Sequence, residues 1–258
     1  MIYSLLKQGA DHKNWCEDFN FFHDYEGQYF VSAVFDGCSS GRDSHFASTL
    51  FARLFENTCK EHMVLGDETP KELSKQLLYS FSCRLKRVKE DLGLNTNDLL
   101  ATIILLVRDV RDNSGYIAVI GDGFVSINGQ RHEIEQSNAP NYIAYHLGDI
   151  NDLSSFENWY DGIVETPRFA KNVIDFTVPQ IRDVTIATDG ITSYVPNHGV
   201  SPDIEDPAAY LSEDIRFLGN PTMLERKVNI LRNKGWNHRD DLGIYRIVIS
   251  DDQLHLEF

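Results

Sequence analysis

The stretch LLATIILLVRDVRDNSGYIAVIGDGFVSINGQRHEIE, Leu99–Glu135, decides the fold. Its first two runs, LLATIILLVRDV and SGYIAVIGDG, are apolar and β-branched, which favours strands. A short polar turn, Arg111–Ser114, joins them. Strands linked this closely pair antiparallel, because a parallel pair needs a long crossover. Next, FVSI and RHEIE flank Asn128-Gly129, a strong hairpin signal.

The flanking sequence fits the same scheme. Residues 2–8 and 17–23 read as strands around a turn at Gly9–Asn14. Tyr29–Phe35 reads as a strand ending at Asp36-Gly37. The run SHFASTLFARLFENTCKEHM then places Phe46, Ala47, Leu50, Phe51, Leu54 and Phe55 on one helical face. Thr69-Pro70 starts a second helix, with Thr as cap and Pro in the first turn. Its apolar face carries Leu73, Leu77, Leu78, Phe81, Leu85, Val88 and Leu92. Downstream, 136–182 is loop-rich, with a short helix expected near 152–160. DVTIATDG is a buried strand, and 196–207 is a loop containing Pro196, Pro202 and Pro207. A helix over Leu224–Lys234 and a closing strand LGIYRIVIS complete the chain. The order is strands, two long helices, then many strands on short loops. That is an α+β domain of antiparallel sheets with helices on their outer faces. No linker or repeat divides it, so one domain over 1–258 is expected.

Bulk properties narrow the function. The chain has 258 residues, 42% of them hydrophobic, and a formal net charge of -15. This charge argues against nucleic-acid and anionic-membrane partners, which recruit Lys and Arg. Cys16, Cys38, Cys59 and Cys83 match no zinc spacing and no Cys-x-x-Cys, so free thiols in a reducing compartment are expected. Cys59 and Cys83 fall in helical patterns and read as small core residues. With no signal-peptide pattern and no long apolar run, the sequence reads as soluble and cytoplasmic.

Four apolar strand-like runs end in aspartate: Asp36 in VSAVFDGCSS, Asp122 in YIAVIGDGFVSI, Asp189 in DVTIATDGITSY and Asp240 in NHRDDLGIYRIVI. The first three are followed by glycine, which permits a sharp turn and leaves room for a ligand. One Asp-Gly is only a turn signal. Several carboxylates at strand tips suit hard cations such as Mg²⁺ or Mn²⁺, and with them chemistry on a phosphate.

These segments form an ordered set. Lys13-Asn14-Trp15-Cys16-Glu17-Asp18 is followed by Val34-Phe35-Asp36-Gly37, then by Ala101-Thr102 with Ile120-Gly121-Asp122-Gly123. Ala187-Thr188-Asp189-Gly190 and Asp240-Asp241-Leu242-Gly243-Ile244 close it. In residues and order the set resembles the protein phosphatase 2C family, the metal-dependent serine/threonine protein phosphatases, in its bacterial form. The resemblance implies a four-layer α-β-β-α sandwich of two antiparallel sheets flanked by helices, with metals in a cleft at one end. It implies hydrolysis of phosphoserine and phosphothreonine in proteins by a water activated between two Mg²⁺ or Mn²⁺ ions. Asp36 would bridge the two ions, and the Gly37 carbonyl would add a ligand. Asp189 and Asp240 would complete one shell, and Glu17 would serve the other. Asp18 would orient waters, and Asp122 would join Asp189 at a third, weaker ion. The partners implied are a phosphorylated protein and a cognate Ser/Thr kinase.

The sequence also departs from the family pattern. Lys13 stands where many members carry a phosphate-gripping arginine, and a lysine lacks the bidentate fork. Cys38 follows Asp36-Gly37 where several members have a proton-donating histidine. His12 or His45 could substitute, although each also reads as an ordinary surface or helix histidine. Ser39-Ser40-Gly41 and Arg42 before a helix read either as an anion site or as a simple cap. Gly243 replaces a threonine, a change expected to affect packing. Asp240 is preferred to Asp241 as the ligand, from its place in the motif. The Lys13 and Cys38 changes keep open a catalytically weak phosphatase-like module that binds a phosphoprotein or kinase. A hydrolase of small phosphate esters is a third reading, with 136–182 and 192–207 as a substrate-selecting flap.

Overall fold

The computed structural model describes residues 1–39, 41, 43–64, 66–136, 140–162, 171–198 and 203–249. Ser40, Arg42 and Pro202, singled out above, lie outside the described residues, as do parts of both proposed flap segments.

Strands β1 (Ile2–Lys7), β2 (Asp18–Tyr25) and β3 (Tyr29–Gly37) precede helices α1 (Ser44–Glu61) and α2 (Pro70–Leu92). Then come β4 (Ala101–Asp109), β5 (Gly115–Ile120), β6 (Gly123–Ile127), β7 (Gln130–Ile134) and helix α3 (Leu153–Tyr160). Strands β8 (Ile174–Val178), β9 (Asp183–Ala187) and β10 (Tyr194–Pro196) follow, then α4 (Pro207–Ser212) and α5 (Met223–Asn233). The described chain closes with β11 (Trp236–His238) and β12 (Leu242–Val248). Among the described residues, one five-stranded antiparallel sheet runs β1-β12-β9-β6-β7 and a second runs β2-β3-β4-β5-β8.

The continuous apolar character of β4 follows from this layering. Ile103, Leu105 and Val107 face the helical layer with Phe51, Phe55, Leu77 and Phe81. Ile104 and Leu106 point the other way, into an inter-sheet core with Val125, Val184, Ile186 and Ile247. Both faces of the strand are dry, so alternation is lost. On the far side Leu211, Leu224 and Leu231 of α4 and α5 cover Phe124, Ala187 and Ile244. The result is the expected α-β-β-α sandwich.

Local signals act as read. Thr69 caps α2 in a capping box with Glu72, and Pro70 opens the helix. Asn128 and Gly129 both take positive φ in the β6–β7 turn, as a type I′ hairpin requires. Helix α3 starts at a capping Asp152 within the 152–160 window.

Four expectations change. Residues 2–8 and 17–23 do form strands, but β1 pairs with β12 and β2 with β3, so their linker passes between sheets. Segment 136–182 is more structured than expected, because it also holds a 3₁₀ turn at Ile143–Tyr145 and edge strand β8. Pro207 begins α4 behind a capping Asp206 instead of only closing a loop. Leu92 is 63% exposed at the last position of α2, just before the capping Gly93, and so does not join the apolar face expected for it.

Candidate functional site: a carboxylate cluster at one end of the sandwich

Carboxylates arrive at one end of the sandwich from both sheets. Asp18 opens β2 and lies opposite Asp36 near the end of β3. Asp122 sits where the chain leaves β5 in one sheet and enters β6 in the other. The flanking Gly121 and Gly123 have φ of +103° and +138°, so this is a sheet-to-sheet crossing and not a hairpin. Asp189 begins a 3₁₀ turn directly after β9, and Asp240 lies just before β12.

The glycines have a more specific task than turning. A Cβ on Gly190 would overlap the Asp241 carbonyl, and one on Gly37 would overlap the Ser44 carbonyl. Glycine here makes room for backbone: Gly190 brings the segments bearing Asp189 and Asp240 together, and Gly37 seats the end of β3 beside Asp36 against the start of α1. Gly243 makes room for side chains instead, since an added Cβ would stand 2.7 Å from the Asn20 Oδ1 and 3.4 Å from the Asp18 Oδ2.

The acids feel each other strongly. Burial, then the like charges of Asp18, Asp189, Asp240 and Asp122, hold the Asp36 carboxyl well above the usual range. Part of the Asp36 surface still faces the cleft, but its carboxyl is crowded by protein. Burial pushes Asp18 up to about 8, with the charge of Asp241 adding to the shift. The Thr188 hydroxyl partly offsets this by donating to Asp18 Oδ2 at 2.7 Å. Burial and the charges of Asp240 and Asp122 raise Asp189 to about 7. Asp189 is also the most solvent-exposed of the set, so water screens part of that repulsion. Asp122 and Asp240 are raised too, by burial first. Thr102 on β4 steadies Asp122 by donating to its Oδ1 at 2.9 Å. Beside Asp122 and Asp189 opens a cavity of about 230 Å³, also lined by Glu133 and Glu135.

Asp240 and Asp241 behave differently. Asp241 is 1% exposed and accepts from Gly9 N at 2.6 Å, from His12 Nδ1 at 2.7 Å and from Glu17 N. Its oxygens are used to hold the 9–17 loop. The Asp240 side chain is 43% exposed and faces the other acids. The loop that Asp241 holds carries Glu17, whose Oε2 accepts from the Ser39 hydroxyl at 2.9 Å. Lys13, on the same loop, is exposed and has no ion pair among the described residues. Cys38 shares a hydrogen bond with the buried Tyr142 hydroxyl.

His12 is the residue whose place the sequence did not disclose. Its Nε2 is 3.3 Å from Asp240 Oδ1, and its Nδ1 is 3.9 Å from Glu17 Oε2. Burial disfavours its charged form, but Asp241, Glu17 and Asp240 outweigh that and raise its pKa. Only contact across the fold with Asp241 reveals this, and no local spacing encodes it. His45 lies apart from this network, stacked on Trp15 at 5.1 Å between ring centroids.

An all-oxygen set of crowded, desolvated carboxylates fits divalent cations, because a cation turns their mutual repulsion into attraction. Among the described residues, no three such side chains already close into a cage. Several oxygens are instead held by Thr102, Thr188 and Ser39 hydroxyls.

The protein phosphatase 2C family profile matches residues 9–226. The chain belongs to the protein phosphatase 2C family. No curated protein sequence matches it. Among solved structures it is similar to RsbX in complex with magnesium, at 17% identity and TM-score 0.50, over 95% of this chain and 92% of that one. It is similar to the serine/threonine phosphatase Stp1 from Staphylococcus aureus, at 12% identity and TM-score 0.59, over 96% and 94%. It also resembles the SpoIIE phosphatase domain with a regulatory-domain fragment from Bacillus subtilis, at 16% identity and TM-score 0.53. That match covers 96% of this chain but only 63% of the other. These likenesses establish the fold. Among the described residues no helix is long and apolar enough to cross a membrane.

Proposed function

We propose that this chain hydrolyses phosphoserine and phosphothreonine in proteins, using two divalent cations, Mg²⁺ or Mn²⁺, with room for a third. The observation that carries the reading is the carboxylate cluster itself. Burial, and then the charges of their neighbours, raise the proton affinity of Asp36, Asp18, Asp189, Asp240 and Asp122 at one point of the fold. Family membership and the magnesium in the related RsbX structure support it. When bound, the cations would acidify a water and neutralise the phosphate dianion.

Each residue then has a task. Asp36, at the centre of the cluster, would bridge the two positions, with the Gly37 carbonyl beside it. Asp189 and Asp240 would serve one position and Glu17 the other. Asp122 and Asp189, which share a cavity, would serve the third. Asp18 is held by Thr188 behind Asp36 and orients water through hydrogen bonds. Lys13 meets the phosphate as an exposed point charge. The whole of 1–258 acts as one catalytic unit in the cytoplasm, on phosphoproteins made by a cognate kinase.

The test is phosphate release from a phosphothreonine peptide, with and without Mn²⁺, for wild type and Asp36→Asn. Release that needs Mn²⁺ and disappears in Asp36→Asn is expected. Mn²⁺ binding without release would overturn the enzymatic reading.

A further inference from the structure

We propose that His12 is itself a metal ligand: its Nε2 joins Asp240 in holding a divalent ion, so this position favours first-row transition ions over Mg²⁺. The inference rests on reading the cluster as a metal centre, but it concerns a nitrogen that the carboxylate motifs do not contain.

The geometry is that of an oriented imidazole. Nδ1 lies 2.7 Å from Asp241 Oδ2. That carboxylate is buried and fixed by the Gly9 and Glu17 amides. A buried, acceptor-only partner holds a proton on Nδ1, so Nε2 is the nitrogen that gives up its proton when a cation binds. Metal-bound histidines are typically held this way, with the second nitrogen donating to a carboxylate. Nε2 faces Asp240 Oδ1 at 3.3 Å. A direct ion pair normally closes to about 2.8 Å. Two adjacent ligands of one ion, with bonds of about 2.1–2.2 Å at right angles, stand about 3 Å apart. The observed separation is near that ligand–ligand edge. The His12 side chain is 16% exposed, so it is not a solvated surface residue.

The chemistry gives the consequence. Mg²⁺ strongly prefers oxygen, whereas imidazole nitrogen binds first-row transition ions well. Replacing one oxygen or water by His12 therefore tilts selectivity away from Mg²⁺.

The full chain is loaded with Mn²⁺ alone and examined by pulsed electron paramagnetic resonance for ¹⁴N coupling. Mn²⁺ and Mg²⁺ are each titrated by calorimetry into wild type and His12→Gln. Coupling in wild type, its loss in His12→Gln, and a fall in Mn²⁺ affinity of about tenfold or more, larger than the fall for Mg²⁺, are expected. Bound Mn²⁺ with no ¹⁴N coupling, coupling that persists in His12→Gln, or equal losses for both ions would overturn the inference and leave the phosphatase reading intact. No Mn²⁺ binding at all would remove both. If His12→Gln does not fold, the wild-type spectrum alone decides.

Discussion

Replacing Asp241 should damage the fold, while replacing its neighbour Asp240 should not. Asp241 is buried and accepts from Gly9 N, His12 Nδ1 and Glu17 N. In Asp241→Ala the Gly9 amide stays buried without an acceptor, and the other two donors must find water. Hydrogen bonds to a charged group contribute about 1.5–3 kcal/mol each, and their losses are not additive. Two fully lost bonds give about 3–5 kcal/mol. Relief of the repulsion between Asp241 and Asp18 returns on the order of 1 kcal/mol. The net cost is about 2–4 kcal/mol, a large share of the stability of a typical domain. Asp240 is partly open to solvent and repels Asp36 and Asp189. Asp240→Asn without metal should therefore be neutral, or more stable by up to about 1 kcal/mol. Urea unfolding in chelator measures both, and with m near 3 kcal/mol/M the Asp241→Ala midpoint falls by about 1 M. Added Mn²⁺ should stabilise wild type more than Asp240→Asn. Asp241→Ala within about 0.5 kcal/mol of wild type, or Asp240→Asn as the weaker of the two, would refute the division of labour.

In chelator, thermal stability should fall from pH 5.5 to pH 8. Asp36, Asp18 and Asp189 hold protons in the folded state at pH values where the unfolded chain has released them, so raising pH favours unfolding. Excess Mg²⁺ or Mn²⁺ should remove most of that decline, and a flat or rising chelator profile would contradict the cluster's electrostatics. Gly190→Ala should destabilise by about 3 kcal/mol in chemical denaturation, because its Cβ meets the Asp241 carbonyl. Gly148→Ala, with nothing near its Cβ, should stay close to wild type in the same assay. Lys13→Arg should lower KM for a phosphopeptide several-fold at similar kcat, through the bidentate fork. Steady-state kinetics showing kcat alone changed would place Lys13 elsewhere in the cycle.

Much of the fold was legible because its signals are local. The capping box at Thr69 and Glu72, the Asn128-Gly129 hairpin and the dry run of β4 each encode their own structure. Pairing across long separations was not encoded this way. Nothing near Ile2–Lys7 states that its partner is β12, at the other end of the chain. The acidic positions were legible as strand ends, but their allocation was not. Asp240 and Asp241 are adjacent and chemically identical, and only burial and three donors on the 9–17 loop separate an open carboxylate from a structural one. His12 was hidden for the same reason, since its partner Asp241 lies 229 residues away.

The architecture also explains why the cluster belongs at one end of a two-sheet sandwich. A single sheet presents neighbouring strand tips in a line, so its carboxylates would lie side by side. Here β2 and β3 supply Asp18 and Asp36 from one sheet, while β9 and β12 bring Asp189 and Asp240 from the other. Asp122 sits on the β5–β6 connection, one of those that cross between the sheets. The acids therefore face each other across the gap, and a cation between them neutralises several at once. Without a cation the same arrangement loads repulsion onto the seam between the sheets. Gly190 lets the turn after β9 lie against the Asp241 carbonyl beside β12 in the same sheet, and Gly37 lets the end of β3 lie against Ser44 at the start of α1, so a larger side chain would shift the backbones that carry the carboxylates. Metal affinity and the close backbone packing around the carboxylates are thus one coupled property of this chain. A variant that disturbs this packing, such as Gly190→Ala, should weaken Mn²⁺ binding measured by calorimetry even though it removes no ligand.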